Sequence, residues 1–323
     1  MKLLFLGTVS ATPTRSRNVS ATAIQAGEQK FWYLVDCGEG TQHQLLKTPQ
    51  SLHTLEAIFI THRHGDHCFG LPGLLASASL NGRQLSLTLV APKAVCDFVQ
   101  CVIDSIKMEL GFDLAYIEIE NQPSRLAFDH VEVDIAQLSH SVPSYAFKFI
   151  EKNIPLKLDM AKLTAQAVAP GPHYNLLQKG RDIACRNQPL KYRDYTWPSW
   201  NARRAVVCGD NDSPGILDSF IDDVHLLVHE ATYTEHHLLR QGTETGHTSA
   251  KRIAEFAQNR SIAALALTHF SARYHTFANK SENQLSKLET EARHYYQGEL
   301  FLVRDFDLIK IEKDGSCTLH SPV

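Results

Sequence analysis

The chain is written in two alternating patterns, short apolar runs of strand length and longer amphipathic runs of helix length. Residues 3–6 form a first apolar run. The alternating runs 21–26 and 31–35 flank Gly27-Glu28, the pattern of a hairpin. Asp36-Cys37-Gly38-Glu39-Gly40 reads as a sharp turn, followed by a helix over 41–47. Residues 57–60 and 85–90 read as strands, and 71–80 as a helix. Pro92 opens an amphipathic helix over 93–107. Strands are expected near 114–119, 131–138 and 145–150. In the second half they are expected at 205–208, 226–228 and 263–267, with helices over 232–240, 249–258 and 282–296. Strands come first in each half and helices alternate with them later. That order predicts an α/β fold of mixed sheets covered by helices, with the tail after about residue 301 adding closing strands.

Directly after the run Ala57-Ile58-Phe59-Ile60 stands Thr61-His62-Arg63-His64-Gly65-Asp66-His67. Alternate side chains of an extended segment share a face, so His62 and His64 point the same way. A turn into helix near Gly65 aims Asp66 and His67 at a second position close by. Imidazole nitrogen and carboxylate oxygen suit zinc, with manganese, iron or cobalt as weaker candidates. Three more such residues follow strand-like runs: His140, Asp210 and His269. Sites in α/β sheets gather at the carboxyl ends of strands. His62, His64 and His140 would hold one metal, Asp66, His67 and His269 the other, with Asp210 between them. Two metals about 3.5–4 Å apart acidify a bridging water and offset charge on a phosphoryl or acyl oxygen. Protonating a leaving group needs a separate acid. His229 and His247 are the candidates; His247 is favoured, oriented by Glu230. The alternative for His247 is a capping role at the helix over 249–258.

Composition narrows the class. Length 323 allows one large α/β domain or two smaller ones, and 43% hydrophobic with 21% charged residues fits a water-soluble globular protein. A net charge of −3 excludes a globally basic nucleic-acid binder, so a polyanion would have to meet a local basic patch. The seven cysteines are odd in number and contain no C-x-x-C pair, which reads as reduced thiols in the cytoplasm. The start, MKLLFLGTVS, lacks the length and cleavage pattern of a secretory signal, and no run is long enough to span a membrane.

With these residues in place, the chain resembles ribonuclease Z, the tRNA 3′-processing branch of the metallo-β-lactamase superfamily. His62-Arg63-His64-Gly65-Asp66-His67 marks the superfamily alone. The branch is carried by Phe5-Leu6-Gly7-Thr8, Arg17-Asn18-Val19-Ser20, Asp36-Cys37-Gly38-Glu39-Gly40-Thr41-Gln42 and Phe69-Gly70-Leu71-Pro72-Gly73-Leu74-Leu75. It continues in His140-Ser141-Val142-Pro143-Ser144-Tyr145, His229-Glu230-Ala231-Thr232, Gly246-His247-Thr248-Ser249 and Thr268-His269-Phe270-Ser271-Ala272-Arg273-Tyr274. The resemblance implies a single αββα sandwich over 1–323 and a di-zinc site with the ligands above, manganese or cobalt being possible substitutes. It implies endonucleolytic removal of 3′ trailers from precursor tRNA, a proton-accepting role for Asp66, His247 as second catalytic position, and a homodimer.

The resemblance also implies an inserted tRNA-binding arm, here over 151–204, with Ala169-Pro170-Gly171-Pro172-His173-Tyr174 in the place of a Gly-Pro-rich hairpin. Leu176 and Gln178 stand where many members carry lysine, which removes phosphate contacts. Lys179, Arg181, Arg186, Lys191, Arg193, Arg203 and Arg204 face only Asp182 and Asp194 in this stretch, and Tyr192, Tyr195, Trp197 and Trp200 are interleaved. Cations can follow an RNA backbone while aromatic faces stack bases, or the tryptophans can pack the arm against the body. Arg273 is a further candidate RNA contact. Asn211 replaces a usual threonine and Ala146 a common glycine; neither removes a ligand. Two rival functions remain open at this point: another hydrolase of the same fold acting on small phosphodiesters or aryl sulfates, and a non-catalytic RNA-binding relative.

Overall fold

The computed structural model describes residues 1–121, 124–185, 188–274 and 284–321. Strand alternation builds its layers. In Lys2–Gly7, Leu3 and Phe5 enter one apolar cluster, while Leu4 and Leu6 enter another on the opposite face. Leu55–Phe59 does the same, with Ala57 and Phe59 on one face and Ile58 on the other. The shared inner cluster joins Phe5, Tyr33 and Phe59 of one sheet to Phe147, Phe149, Val207 and Val228 of a second. Helices cover the outer faces. Leu71–Leu80 and Lys93–Ile106 pack on the first sheet, Ala250–Asn259 and Ser286–Tyr295 on the second. This is the αββα order expected.

Among the described residues the first sheet has eight strands, in the spatial order Cys317–His320, Leu308–Ile311, Lys2–Gly7, Ala21–Gln25, Trp32–Val35, Leu55–Phe59, Leu87–Ala91 and Leu114–Glu118. The second has seven: Glu299–Leu302, Ala264–Thr268, Leu226–Glu230, Arg204–Cys208, Ser144–Glu151, Val131–Leu138 and Arg125–Ala127. The tail therefore supplies strands to both sheets. Two helices begin later than their apolar pattern. Glu235–Gln241 is capped by Thr234, whose hydroxyl accepts from His237 N, and Ser286–Tyr295 starts four residues after 282.

Residues 151–204 leave and rejoin the second sheet between two paired neighbours, since Ile150 faces Arg204 across the antiparallel ladder. The insertion thus leaves the sheet intact. Its stem pairs Leu156–Leu158 with Thr196–Pro198. Its own small core comprises Leu163, Val168, Leu177, Leu190 and Tyr195. Gly171-Pro172 opens the helix Pro172–Gln178 where a hairpin was expected, because the fixed φ of proline suits the first helical position.

At the root of the insertion, Arg203 Nε donates to Glu151 Oε2 at 2.8 Å and Nη1 donates to Ile311 O at 3.1 Å. Trp200 Nε1 donates to the same Glu151 oxygen at 3.1 Å, and Lys313 lies 4.5 Å over the Trp200 ring. Arg203 and Trp200 are thereby spent on anchoring. Burial raises the Glu151 pKa, but the hydrogen bonds from Arg203 and Trp200 outweigh it and hold the group below the usual carboxylate range. A depressed carboxylate contributes stability above its unfolded pKa and loses it as pH falls through the folded value. Glu151→Ala leaves the Arg203 charge buried without its partner. The expected cost is about 3–5 kcal/mol in urea denaturation at pH 7, shrinking as the pH drops below the carboxylate range. Equal stability of variant and parent at pH 7 would contradict this.

Candidate metal centre

Five chain segments end at one rim of the sandwich. Leu55–Phe59 delivers 62–67, Val131–Leu138 delivers His140, Arg204–Cys208 delivers Asp210, Leu226–Glu230 ends in Glu230, and Ala264–Thr268 delivers His269. His64 closes the strand-like segment in extended backbone, and Gly65–Cys68 turns into a short helix. Gly38 lets this loop sit low: a Cβ there would lie 2.2 Å from Asp66 O.

The side chains form two adjoining groups. In the first, His64 Nδ1 lies 3.1 Å from His62 Nε2 and 3.2 Å from His140 Nε2. Asp210 Oδ2 lies 3.6 Å from His62 Nε2 and 3.7 Å from His140 Nε2. In the second, His67 Nε2 and His269 Nε2 are 3.2 Å apart. Asp66 Oδ2 is 3.6 Å from His67 Nε2 and 3.4 Å from His269 Nε2, and Asp210 Oδ1 is 3.5 and 3.3 Å from the same nitrogens. Zinc–nitrogen bonds of about 2.0–2.1 Å give tetrahedral edges of roughly 3.3 Å, the spacing seen here. Asp210 presents one oxygen to each group. All seven candidate ligands, His62, His64, Asp66, His67, His140, Asp210 and His269, are thus brought together.

Four imidazoles are oriented through their other nitrogen. His140 Nδ1 donates to Gly246 O at 2.7 Å and His67 Nδ1 to Asp36 Oδ2 at 2.7 Å. A carbonyl and a carboxylate can only accept, so Nε2 carries the free lone pair in the neutral ring. His62 Nδ1 donates to Thr61 Oγ1 at 3.0 Å and His269 Nδ1 to Thr232 Oγ1 at 3.1 Å. Such outer partners fix the tautomer and aim of metal-binding histidine. Asp36 also accepts from Thr61 N at 2.8 Å. Asp36 and His269 both hold left-handed backbone, at φ 59° and 55°, an arrangement that side-chain-bearing residues keep where surrounding contacts enforce it. Asp36→Ala is expected to weaken metal affinity about 10–100-fold by isothermal titration with the fold intact by circular dichroism. Unchanged affinity would remove Asp36 from the centre.

Electrostatics favour cations at this rim. Burial, reinforced by neighbouring histidines, holds His62 well below its ordinary pKa, so it stays a neutral donor; burial and His140 lower His64 likewise. Burial opposes ionisation of Asp66, but His67 and His269 outweigh it and keep it a carboxylate. Burial also opposes protonation of His67, yet Asp36, Asp210 and Asp66 raise it to about 10. The positive charge those carboxylates draw onto His67 is what a divalent cation would supply in its place. Donor type, spacing and charge therefore fit a divalent metal.

His247 lies at the same rim, grouped with Asp210 and His269, its Nδ1 3.7 Å from Asp210 Oδ2. Its Nδ1 lies 3.1 Å from Glu230 Oε1, which also accepts from Asn211 N at 3.0 Å. Burial lowers its basicity, but Glu230 and Asp210 outweigh this and raise it to about 9. The helix Ala250–Asn259 is capped by Ser249, which accepts from Arg252 N, so His247 is not its cap. His229 is fully buried: Nδ1 donates to Glu230 O at 2.8 Å and Nε2 accepts from Asn211 Nδ2 at 2.9 Å. That pairing directs it away from the cleft and gives Asn211 a structural task.

An open cleft of about 420 Å³ lies over the two groups, lined by Pro13, Val19, His64, Asp66, Phe69 and His247 among others. Arg273 lies 5.1 Å over the Tyr233 ring, which in turn meets the His247 ring edge-on at 6.2 Å between centroids. Lys179, Arg181, Lys191 and Arg193 are exposed on the insertion; Arg186 lies outside the described residues. Trp197 is exposed, whereas Tyr195 is buried. Asp36, Thr61 and Thr232 were not among the sequence candidates. Asp36 had a readable signal, a carboxylate directly after the strand Trp32–Val35.

A family model described as anti-Pycsar protein Apyc1 matches residues 1–168, which hold the 62–67 cluster and His140 but not Asp210, His247 or His269. Across nearly the full length, the chain is 47% identical to ribonuclease Z of Pseudomonas putida (strain W619), covering 98% of each protein. The chain belongs to the ribonuclease Z family. Ribonuclease Z of Marinobacter nauticus is 45% identical over 97% of each chain. Human tRNase Z, short form, superposes with a TM-score of 0.66 at 25% identity, covering 97% of this chain and 100% of that one. As a ribonuclease Z family member, the chain places its seven candidate ligands and His247 on segments spread from residue 62 to 269, within the span these relatives share.

Proposed function

We propose that this chain is a metal-dependent endoribonuclease that removes 3′ trailers from precursor tRNA, with two zinc ions per subunit. The observation that carries this reading is the two donor groups with one Asp210 oxygen facing each, and the His247–Glu230 pair beside them. Held by His62, His64, His140, Asp66, His67, His269 and Asp210, divalent cations would acidify a bound water and offset charge building on the phosphate oxygens. Asp66, held by Ala11 N at 2.7 Å, accepts the proton of the attacking water at a carboxylate oxygen. His247, steadied by Glu230 through Nδ1, delivers a proton from Nε2 to the departing 3′ oxygen. The exposed cations of residues 151–204 and Trp197 grip the tRNA body as an arm, while Arg203 and Trp200 fix the arm to its root.

The enzyme works as a homodimer in the cytoplasm. Leu46 and Leu80, exposed at the ends of two helices that pack together, supply apolar surface for a second copy. Cys37, Cys68, Cys96, Cys101, Cys208 and Cys317 are free thiols, which suits a reducing compartment, and no helix among the described residues is long and apolar enough to cross a membrane.

Incubation of metal-loaded protein with a 3′-extended precursor tRNA, followed by mapping of both product ends, tests the reading. A single cut after the discriminator nucleotide is the expected result. A variant lacking residues 160–200 is expected to lose tRNA cleavage and keep hydrolysis of a model phosphodiester. Undiminished tRNA cleavage by that variant would contradict the role given to the arm, whereas a parent protein that hydrolyses the model phosphodiester but cuts no precursor tRNA would favour an enzyme for small phosphodiesters.

A further inference from the structure

The tRNA-cleavage reading leaves the apolar wall of the cleft without a task, and Phe69 dominates that wall. Its side chain is 61% exposed at the rim of the cleft that also holds His64, Asp66 and His247. Its position follows from local geometry. The turn Gly65–Cys68 continues to Phe69, whose N–H donates to Gly65 O at 2.9 Å. Side chains three apart on such a turn share a face at about 5–6 Å between Cβ atoms. Phe69 therefore stands one step along from the Asp66 carboxylate of the second donor group.

The ring is also held in place. A Cβ on Gly65 would lie 2.3 Å from Phe69 Cε2, so the ring rests directly against the glycine backbone. Phe98 packs beside it at 6.0 Å between centroids. Pro13 and Val19 line the same cleft. An exposed aromatic ring packed on Gly65 and Phe98 beside the proposed phosphate-cutting centre matches the platforms on which single-stranded nucleic acid stacks its bases. Such stacking tolerates any base because each has a π-face.

We propose that Phe69 is a stacking platform for the nucleobase that flanks the scissile phosphate, so that this position of the substrate is held by shape and not by sequence. The proposal rests on the tRNA-cleavage reading. It is tested by kcat/KM for the parent, Phe69→Ala and Phe69→Trp on a 3′-extended precursor tRNA. Two further substrates carry an abasic nucleotide immediately 5′ or 3′ of the cut. Stacking worth about 1–3 kcal/mol converts to a loss of roughly 5- to 150-fold for Phe69→Ala on the intact substrate. One abasic substrate should slow the parent by a similar factor and Phe69→Ala no further, and Phe69→Trp should recover the rate on the intact substrate. An unchanged rate for Phe69→Ala, or an equal loss on intact and both abasic substrates, overturns the proposal. A parent enzyme that cuts no precursor tRNA would instead overturn the reading beneath it.

Discussion

Asp210→Ala is expected to release the metal from both donor groups together and to lower cleavage of 3′-extended tRNA by more than about 10³-fold. Asp210 is the shared member: Oδ2 faces His62 and His140, and Oδ1 faces His67 and His269. Removing it takes one anion from each group and leaves His67 to share its charge with Asp36 and Asp66 alone. Metal catalysis supplies several kcal/mol, and each 1.36 kcal/mol is a factor of ten in rate, which sets the size of the loss. Metal content measured by plasma mass spectrometry after gel filtration should fall to well below one ion per chain. His64→Ala should damage the first group selectively. If Asp210→Ala keeps two ions per chain at an unchanged rate, the shared-carboxylate assignment is wrong.

His247→Ala should behave oppositely: full metal content with cleavage slowed about 10²–10⁴-fold, the range of a lost general acid. The distinction rests on the shorter of two contacts, His247 Nδ1 being 3.1 Å from Glu230 Oε1 and 3.7 Å from Asp210 Oδ2. His247 Nδ1 is taken by Glu230, and the neighbouring ligands are oriented by groups other than His247. The pair also predicts that Glu230→Gln, which weakens the hold on His247 Nδ1, slows cleavage less than His247→Ala does. Loss of a metal ion in His247→Ala would place this histidine among the ligands.

The sequence made the candidate ligands readable and their supports mostly unreadable, for a physical reason. Ligand density is local: His62, His64, Asp66 and His67 stand in one short stretch behind an apolar strand. His140, Asp210 and His269 repeat the strand-end placement. The supports depend on contacts between distant segments. Asp36 reaches His67 from the end of another strand through a left-handed residue, and Gly246 offers His140 a carbonyl across 106 positions. Charge counting alone could not divide the insertion between RNA contact and anchoring, and Trp200 takes the packing alternative. Arg203 and Trp200 count as a cation and an aromatic in sequence, but the fold commits both to buried Glu151. The strand Arg125–Ala127 was too short to show a period of two.

X-ray absorption at the zinc edge of the metal-loaded protein tests the two-cation centre most directly. The account predicts two ions per chain with nitrogen and oxygen neighbours near 2.0–2.1 Å and a metal–metal vector of about 3.5–4 Å. A single ion without a metal neighbour, or sulfur in its coordination sphere, would contradict it.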